Sequence, residues 1–117
     1  MKIWIDDVRV APDGYVWLKS TREALRFITS PENRNEIELI DLDHDAGDFA
    51  RDGGDYIGVL NELERLSRKV TYVNGVAFHN YWHGLCQKIK FRLHSANPVG
   101  VQRMRLIIQN NGWTEIY

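Results

Sequence analysis

Carboxylates and histidines gather at a few points of this chain. Asp6 and Asp7 stand in tandem, Asp41, Asp43 and Asp45 alternate with His44 before the last, and His94-Ser95-Ala96-Asn97 forms a further polar run. Clustered carboxylates repel one another, so without a cation or a proton between them some would have raised pKa values. Mg²⁺ resolves that conflict, because it takes oxygen ligands, keeps several waters and tolerates one to three carboxylates. Asp6, Asp7 and Asp43 are the expected ligands of such a divalent cation, Mg²⁺ first and Mn²⁺ as a substitute. A metal held this way orients and neutralises a phosphoryl group. His44 and His94 are candidate general acid and base near neutral pH, with Asp43 as a third catalytic candidate. Arg9, Asp45, Ser95 and Asn97 are candidates for holding phosphate or substrate. Asp48 and Asp52 read as solvated loop residues or caps.

Other chemistries fit less well. The Asp41–Asp45 alternation suggests a calcium loop, but the glycine is Gly47, one place later than an EF-hand requires, and the loop closes on Asp52 rather than Glu. His79 and His83 have the spacing of helical metal ligands, yet Tyr81, Trp82 and Gly84 argue against a long helix. No HExxH motif is present. That stretch reads as an aromatic-rich packing or contact segment. The lone Cys86 supports neither a disulfide nor a multi-cysteine zinc site. No glycine-rich phosphate loop and no GxSxG elbow occurs.

The elements that must position these residues follow from periodicity. Ile3–Ile5 reads as a buried strand ending at Asp6-Asp7, and Tyr15–Lys19 as a second, joined by a Pro12 and Asp13-Gly14 connection too short for a crossover helix. Ser20 with Glu23 resembles a capping box before the apolar face of Ala24, Leu25, Phe27 and Ile28. Glu36–Leu42 reads as the third strand, Asp48–Gly54 as a polar loop, and Tyr56 to about Lys69 as a helix. Val70–Val73 and Val76–Phe78 flank Asn74-Gly75, a type I′ hairpin signal. Ile89–Leu93 is a strand, Pro98 starts a helix ended by Asn111-Gly112, and WTEIY is a last strand. The fold class is therefore α/β, with a mainly parallel five-stranded sheet, helices on both faces, a missing or reduced first crossover helix, and a small insert over 70–88 before the fourth strand. In such a sheet ligands bind beyond the carboxyl ends of the strands. Three strands here end in polar functional residues.

Bulk properties narrow the class. The 117 residues make a single domain, 1–117, and a formal net charge of −1 gives no global basic field for non-specific nucleic-acid binding. No apolar run approaches a membrane span and the five-residue apolar start is too short for a signal peptide, so the expected location is cytoplasmic, with no membrane partner.

Tandem acids after the first strand, an acid after the third and Ser95-Ala96 after the fourth resemble the receiver domain of two-component response regulators. That resemblance implies Mg²⁺ on Asp6 and Asp7, a phosphate-accepting Asp43 (Asp41 is a competing register) and a phosphoryl contact from Ser95. The first crossover helix and a lysine after the last strand are missing, and His44 and His94 are added. IDDVR, LDHDAG and HSANPVG are more similar to the divergent cyclic-phosphate processing receiver domains. This resemblance covers nearly the whole chain except about Val70–Lys88. It implies a flavodoxin-like fold and action on cyclic phosphates of nucleotides or RNA ends. Three functions stay open: a metal-assisted phosphoesterase, a non-catalytic receiver-like module that binds a nucleotide or a protein, and a phosphoacceptor domain. In the second, Tyr72, Phe78, Tyr81 and Trp82 of the insert would form the contact surface or a base-stacking platform.

Overall fold

The computed structural model describes all 117 residues. Strands β1 (Lys2–Ile5), β2 (Tyr15–Leu18), β3 (Leu39–Leu42), β6 (Lys90–Leu93) and β7 (Thr114–Glu115) form one sheet in the order β2-β1-β3-β6-β7. Every pairing in it is parallel. Between these strands lie α1 (Thr21–Thr29), α2 (Ile57–Ser67), the hairpin β4 (Val70–Val73) and β5 (Val76–His79), α3 (Tyr81–Lys88) and α4 (Pro98–Asn110).

Caps start the helices where the sequence indicated. Ser20 accepts from the Glu23 amide at 3.0 Å to open α1. Asn97 accepts from the Gly100 amide at 2.9 Å, with Pro98 in the first turn of α4. The hairpin turns at Asn74 and Gly75, both with positive φ, as a type I′ turn requires. The third strand is shorter than expected: 34–36 forms a 3-10 turn, and only Leu39–Leu42 pairs. The polar loop after it likewise contains a 3-10 turn at Gly47–Arg51.

The segment after the hairpin needs correction. It is helical over Tyr81–Lys88. Asn80 caps it by accepting from the Trp82 and His83 amides, and Trp82, Leu85 and Cys86 sit at the spacing that buries one stripe. Gly84 lies on the exposed side, so it breaks no packing. Trp82 belongs to the core and is no part of a surface platform, whereas Tyr72 and Phe78 are exposed on the hairpin. His79 ends β5 while His83 lies in α3, with their rings stacked 4.0 Å apart rather than spaced along one helix.

The sheet is covered on one side, a second correction. Connections β2–β3, β3–β6 and β6–β7 all step the same way along the sheet, so right-handed crossovers place their helices on one face. Ile3, Ile5, Leu18, Ile40, Leu42 and Phe91 on that face join one core cluster with Ala24, Ile28, Leu60, Leu63, Leu85, Met104 and Ile108 of the four helices. Only the β1–β2 connection steps the other way, and it carries no helix. The opposite face therefore presents Lys2, Tyr15, Leu39 and Lys90 in one row and Trp4, Trp17, Asp41 and Arg92 in the next.

This asymmetry has a measurable consequence. Ile40→Ala empties a site on the helix-covered face and is expected to cost about 2–5 kcal/mol in urea denaturation. Lys90→Ala, exposed on the other face, is expected to stay within about 0.5 kcal/mol.

Candidate functional site

The parallel ladder runs one residue past the strands, and this extension places the site. The Asp6 amide donates to the Leu18 carbonyl at 3.3 Å, the Asp43 amide to Ile5 at 2.9 Å and the His94 amide to Leu42 at 3.1 Å. Asp6, Asp43 and His94 are thereby held abreast at the carboxyl edge. Oxygens of Asp6, Asp7 and Asp43 lie within 4.8 Å of one another. Asp6 is fully buried and Asp43 nearly so.

His94 is the most constrained side chain of the group. Its Nε2 lies 2.8 Å from Asp6 Oδ2 and its Nδ1 2.6 Å from Asp41 Oδ1. Each ring nitrogen thus faces one buried carboxyl group. The ring stacks on Trp4 at 3.7 Å between centroids and 6° between planes. Asp41, fully buried, also receives Arg92 Nη1 at 3.4 Å. Arg9 donates to the His94 carbonyl at 2.5 Å, and its backbone carbonyl accepts from the Trp4 indole. Neither ring nitrogen of His94 is left free. Asp41 is thus the anchor of His94, while Asp43 is the strand-three carboxylate in the acidic cluster.

His44 is arranged differently. Its Nδ1 lies 2.8 Å from Asp45 Oδ1, whereas its Nε2 makes no hydrogen bond within the protein; the side chain is 14% exposed. The ring lies flat on α4: a Cβ added at Gly100 would come within 2.4–2.8 Å of three of its atoms. Asn97 Nδ2 donates to Asp45 at 3.2 Å while its Oδ1 caps α4, so both ends of that amide are engaged. Ser95 Oγ accepts from the Asn97 amide at 3.1 Å. His44 and Asp45 also approach Asp55, whose carboxylate accepts from the Ala46 amide at 3.0 Å. The structure thus forms two neighbouring groups, Asp6–Asp7–Asp43 with His94, and His44–Asp45 with Asn97.

Burial raises the Asp6 carboxyl, but hydrogen bonds from the Arg9 and Val8 amides and from His94 outweigh it and bring its pKa below the usual value. Asp7 shifts the other way. Burial raises it, opposed by its own amide and reinforced by the charges of Asp6 and Asp43. Asp45 is lowered, first by the His44 hydrogen bond and then, against desolvation, by Asn97. Asp7 faces Gly47, where a Cβ would fall 2.3 Å from Asp7 Oδ2. Only a glycine fits that approach, and its φ of 54° is one glycine adopts freely. A buried all-oxygen set with one carboxyl poorly compensated is a fit for a hard divalent cation.

Sequence reasoning missed Trp4, Gly100 and Asp55, and weighed Gly47 only as a misplaced calcium-loop glycine. The HSANPVG run held Gly100, but nothing local linked it to His44, 56 positions away.

A parallel sheet of sequential order 2-1-3-4-5, with acids beyond its first and third strands, defines a receiver-like domain of flavodoxin-like topology. The profile of the cyclic-phosphate processing receiver domain matches residues 1–110, and the chain belongs to that family. No curated protein matches the chain, and no solved structure does. No helix is long and apolar enough to cross a membrane.

Removing the His94 ring would take the shortest side-chain hydrogen bonds from two buried acids, leaving Asp41 only Arg92 at 3.4 Å and Asp6 only backbone amides and Arg9 at 4.0 Å. His94→Ala is expected to destabilise by about 3–5 kcal/mol in chemical denaturation. Asp7→Asn is expected to do the reverse in a chelator, unfolding at higher urea than the parent because a repelled charge is gone. The pH dependence has a definite sign. Asp6, depressed in the fold, stabilises fully above the ordinary carboxyl value of about 3.9, and that contribution disappears as pH falls through its lower folded value.

Proposed function

We propose that this domain hydrolyses the cyclic phosphodiester of a nucleotide or RNA end, with His44 as general base and a divalent cation, Mg²⁺ or Mn²⁺, on Asp6, Asp7 and Asp43. The observation that carries the reading is the contrast between the two histidines. His94 has both nitrogens held by carboxylates, whereas His44 has one nitrogen held by Asp45 and the other free. An imidazole oriented by a carboxylate at Nδ1, with Nε2 open, is the arrangement that accepts a proton from an attacking hydroxyl or water. His94 is then a positioning residue that locks Asp6.

When bound, the cation would neutralise phosphate oxygens and the oxygen that leaves. His44 Nε2 takes the proton of the attacking water. The water oxygen bonds to phosphorus, one ring P–O bond breaks, and the freed ribose oxygen takes up a proton from solvent. Asp45 holds the imidazole in place, and Asn97 holds Asp45. Ser95, half-buried at the same edge, retains a hydroxyl proton for a phosphate oxygen. Arg9, with its guanidinium about half exposed, supplies a further cation beside the acids.

Incubation of the protein and Mg²⁺ or Mn²⁺ with 2′,3′-cyclic nucleotides and cyclic-ended RNA tests this directly. The expected product is the ring-opened monophosphate. His44→Ala is expected to slow turnover about 10²–10⁴-fold in protein shown by circular dichroism to be folded. Gly100→Ala should also lower kcat, by pushing the His44 ring aside. Intact substrates after incubation with folded, cation-loaded protein would rule the reading out.

A further inference from the structure

Parallel sheets ordinarily bury both faces, because their crossovers lay helices on each side. This sheet leaves one face without a helix over β1 and β2, and the side chains there are not those of an apolar dimer surface. Lys2 is exposed, with its Nζ 5.7 Å from the Tyr15 ring centroid, and Lys19 Nζ lies 4.4 Å over the Trp17 ring. Tyr15 and Trp17 are half-buried. The register places Tyr15 and Trp17 on this helix-free face, with Lys2 and Lys19 lying over their rings. The Trp17 indole donates to the Asp6 carbonyl at 2.8 Å, so this strip of rings and lysines runs directly into the acidic site. Lys90 extends the positive charge to β6, while Arg92 beside it is engaged by Asp41.

Acids near the face do not cancel this. Asp41 is buried and held by His94 and Arg92. Glu38 lies 3.7 Å from the N-terminal ammonium. Asp13 is exposed in the β1–β2 loop. A chain whose formal net charge is −1 thus concentrates cations beside aromatic rings on one face. A polyanion bearing stacking bases is the partner this chemistry fits.

We infer that this face is the track of a single-stranded oligonucleotide, with bases against Tyr15 and Trp17 and phosphates along Lys2 and Lys19. The inference rests on the phosphoester reading and narrows its substrate from a mononucleotide to the end of a strand. The strand's terminal phosphate reaches the carboxyl edge, while its body crosses the open sheet, which spans roughly 10 Å along each four-residue strand.

The test uses the double variant K2E/K19E, whose side chains lie outside the acidic cluster, and Tyr15→Leu, which removes the stacking surface without changing charge. Anisotropy of a labelled oligouridylate ending in a 2′,3′-cyclic phosphate, measured in a chelator, reads the face independently of chemistry. K2E/K19E is expected to bind about tenfold more weakly, with the salt slope reduced by about 1.4 for two lost phosphate contacts. KM for the oligonucleotide should rise by the same factor, while kcat and the turnover of the cyclic mononucleotide stay unchanged. Tyr15→Leu should weaken binding without altering the salt slope. Unchanged oligonucleotide affinity in K2E/K19E, or a parent that binds the oligonucleotide no better than the mononucleotide, overturns the inference. So does a dimeric parent that K2E/K19E renders monomeric, since the face would then belong to a second copy. Variant-sensitive binding with no turnover of either substrate upholds the face and sinks the catalytic reading instead.

Discussion

His94 stands between two wholly buried carboxylates, Asp6 on one strand end and Asp41 inside another, and its ring is stacked on Trp4. Each carboxylate removed from water would cost several kcal/mol if left alone. The imidazole between them offsets part of that cost through short hydrogen bonds at both nitrogens. The same contact fixes the position of Asp6, and so of Asp7 beside it. Three strands converge on one ring, which is why the carboxyl edge has a defined shape rather than three independent loop ends.

The remaining acids depend on that arrangement in a graded way. Asp6 is satisfied by amides and by His94, and its carboxyl is held low. Asp7 has no such partner and is raised by burial and by its neighbours. Negative charge is thereby left less compensated at Asp7 than at Asp6. The second group, His44 with Asp45, is set by packing instead: the imidazole lies on the bare backbone of Gly100, and the Asn97 cap that starts α4 also holds Asp45. One helix N-terminus thereby orients a side chain that the third strand delivers.

Topology explains the rest of the molecule's asymmetry. Helices that follow right-handed crossovers in one direction must share a face, and the only reverse step lacks a helix. The core is built on one side, where Ile, Leu and Phe alternate inward from the strands. The other side keeps aromatic and cationic side chains at the same register positions. The site lies where these two surfaces meet the strand ends, so it receives buried anchors from one and accessible groups from the other.

Much of this was legible in the chain itself. Apolar runs ending abruptly in Asp6-Asp7, Asp43 and His94 identified strands and their carboxyl edge, since a buried parallel strand leaves only its ends for polar work. Ser20, Asn97-Pro98 and Asn74-Gly75 announced caps and a turn through local hydrogen-bonding and φ preferences, which need no distant partner. Helix α3 was misread because Tyr81 and Gly84 lower local helix propensity, while burial of Trp82, Leu85 and Cys86 against α2 and the core overrides it. The difference between the histidines could not be read locally at all. His44 and His94 look alike in sequence, each polar and each beside a strand end. Which one is locked and which one is open depends on groups 53 and 88 positions away from His94, at Asp41 and Asp6, and on a glycine that meets His44 only through the docking of α4. Residue types and their spacing determined that this edge carries carboxylates and imidazoles. Only the tertiary structure decided which imidazole bridges two buried carboxyl groups and which keeps one nitrogen without a hydrogen bond, because that depends on long-range hydrogen-bond partners and close packing that no local pattern encodes.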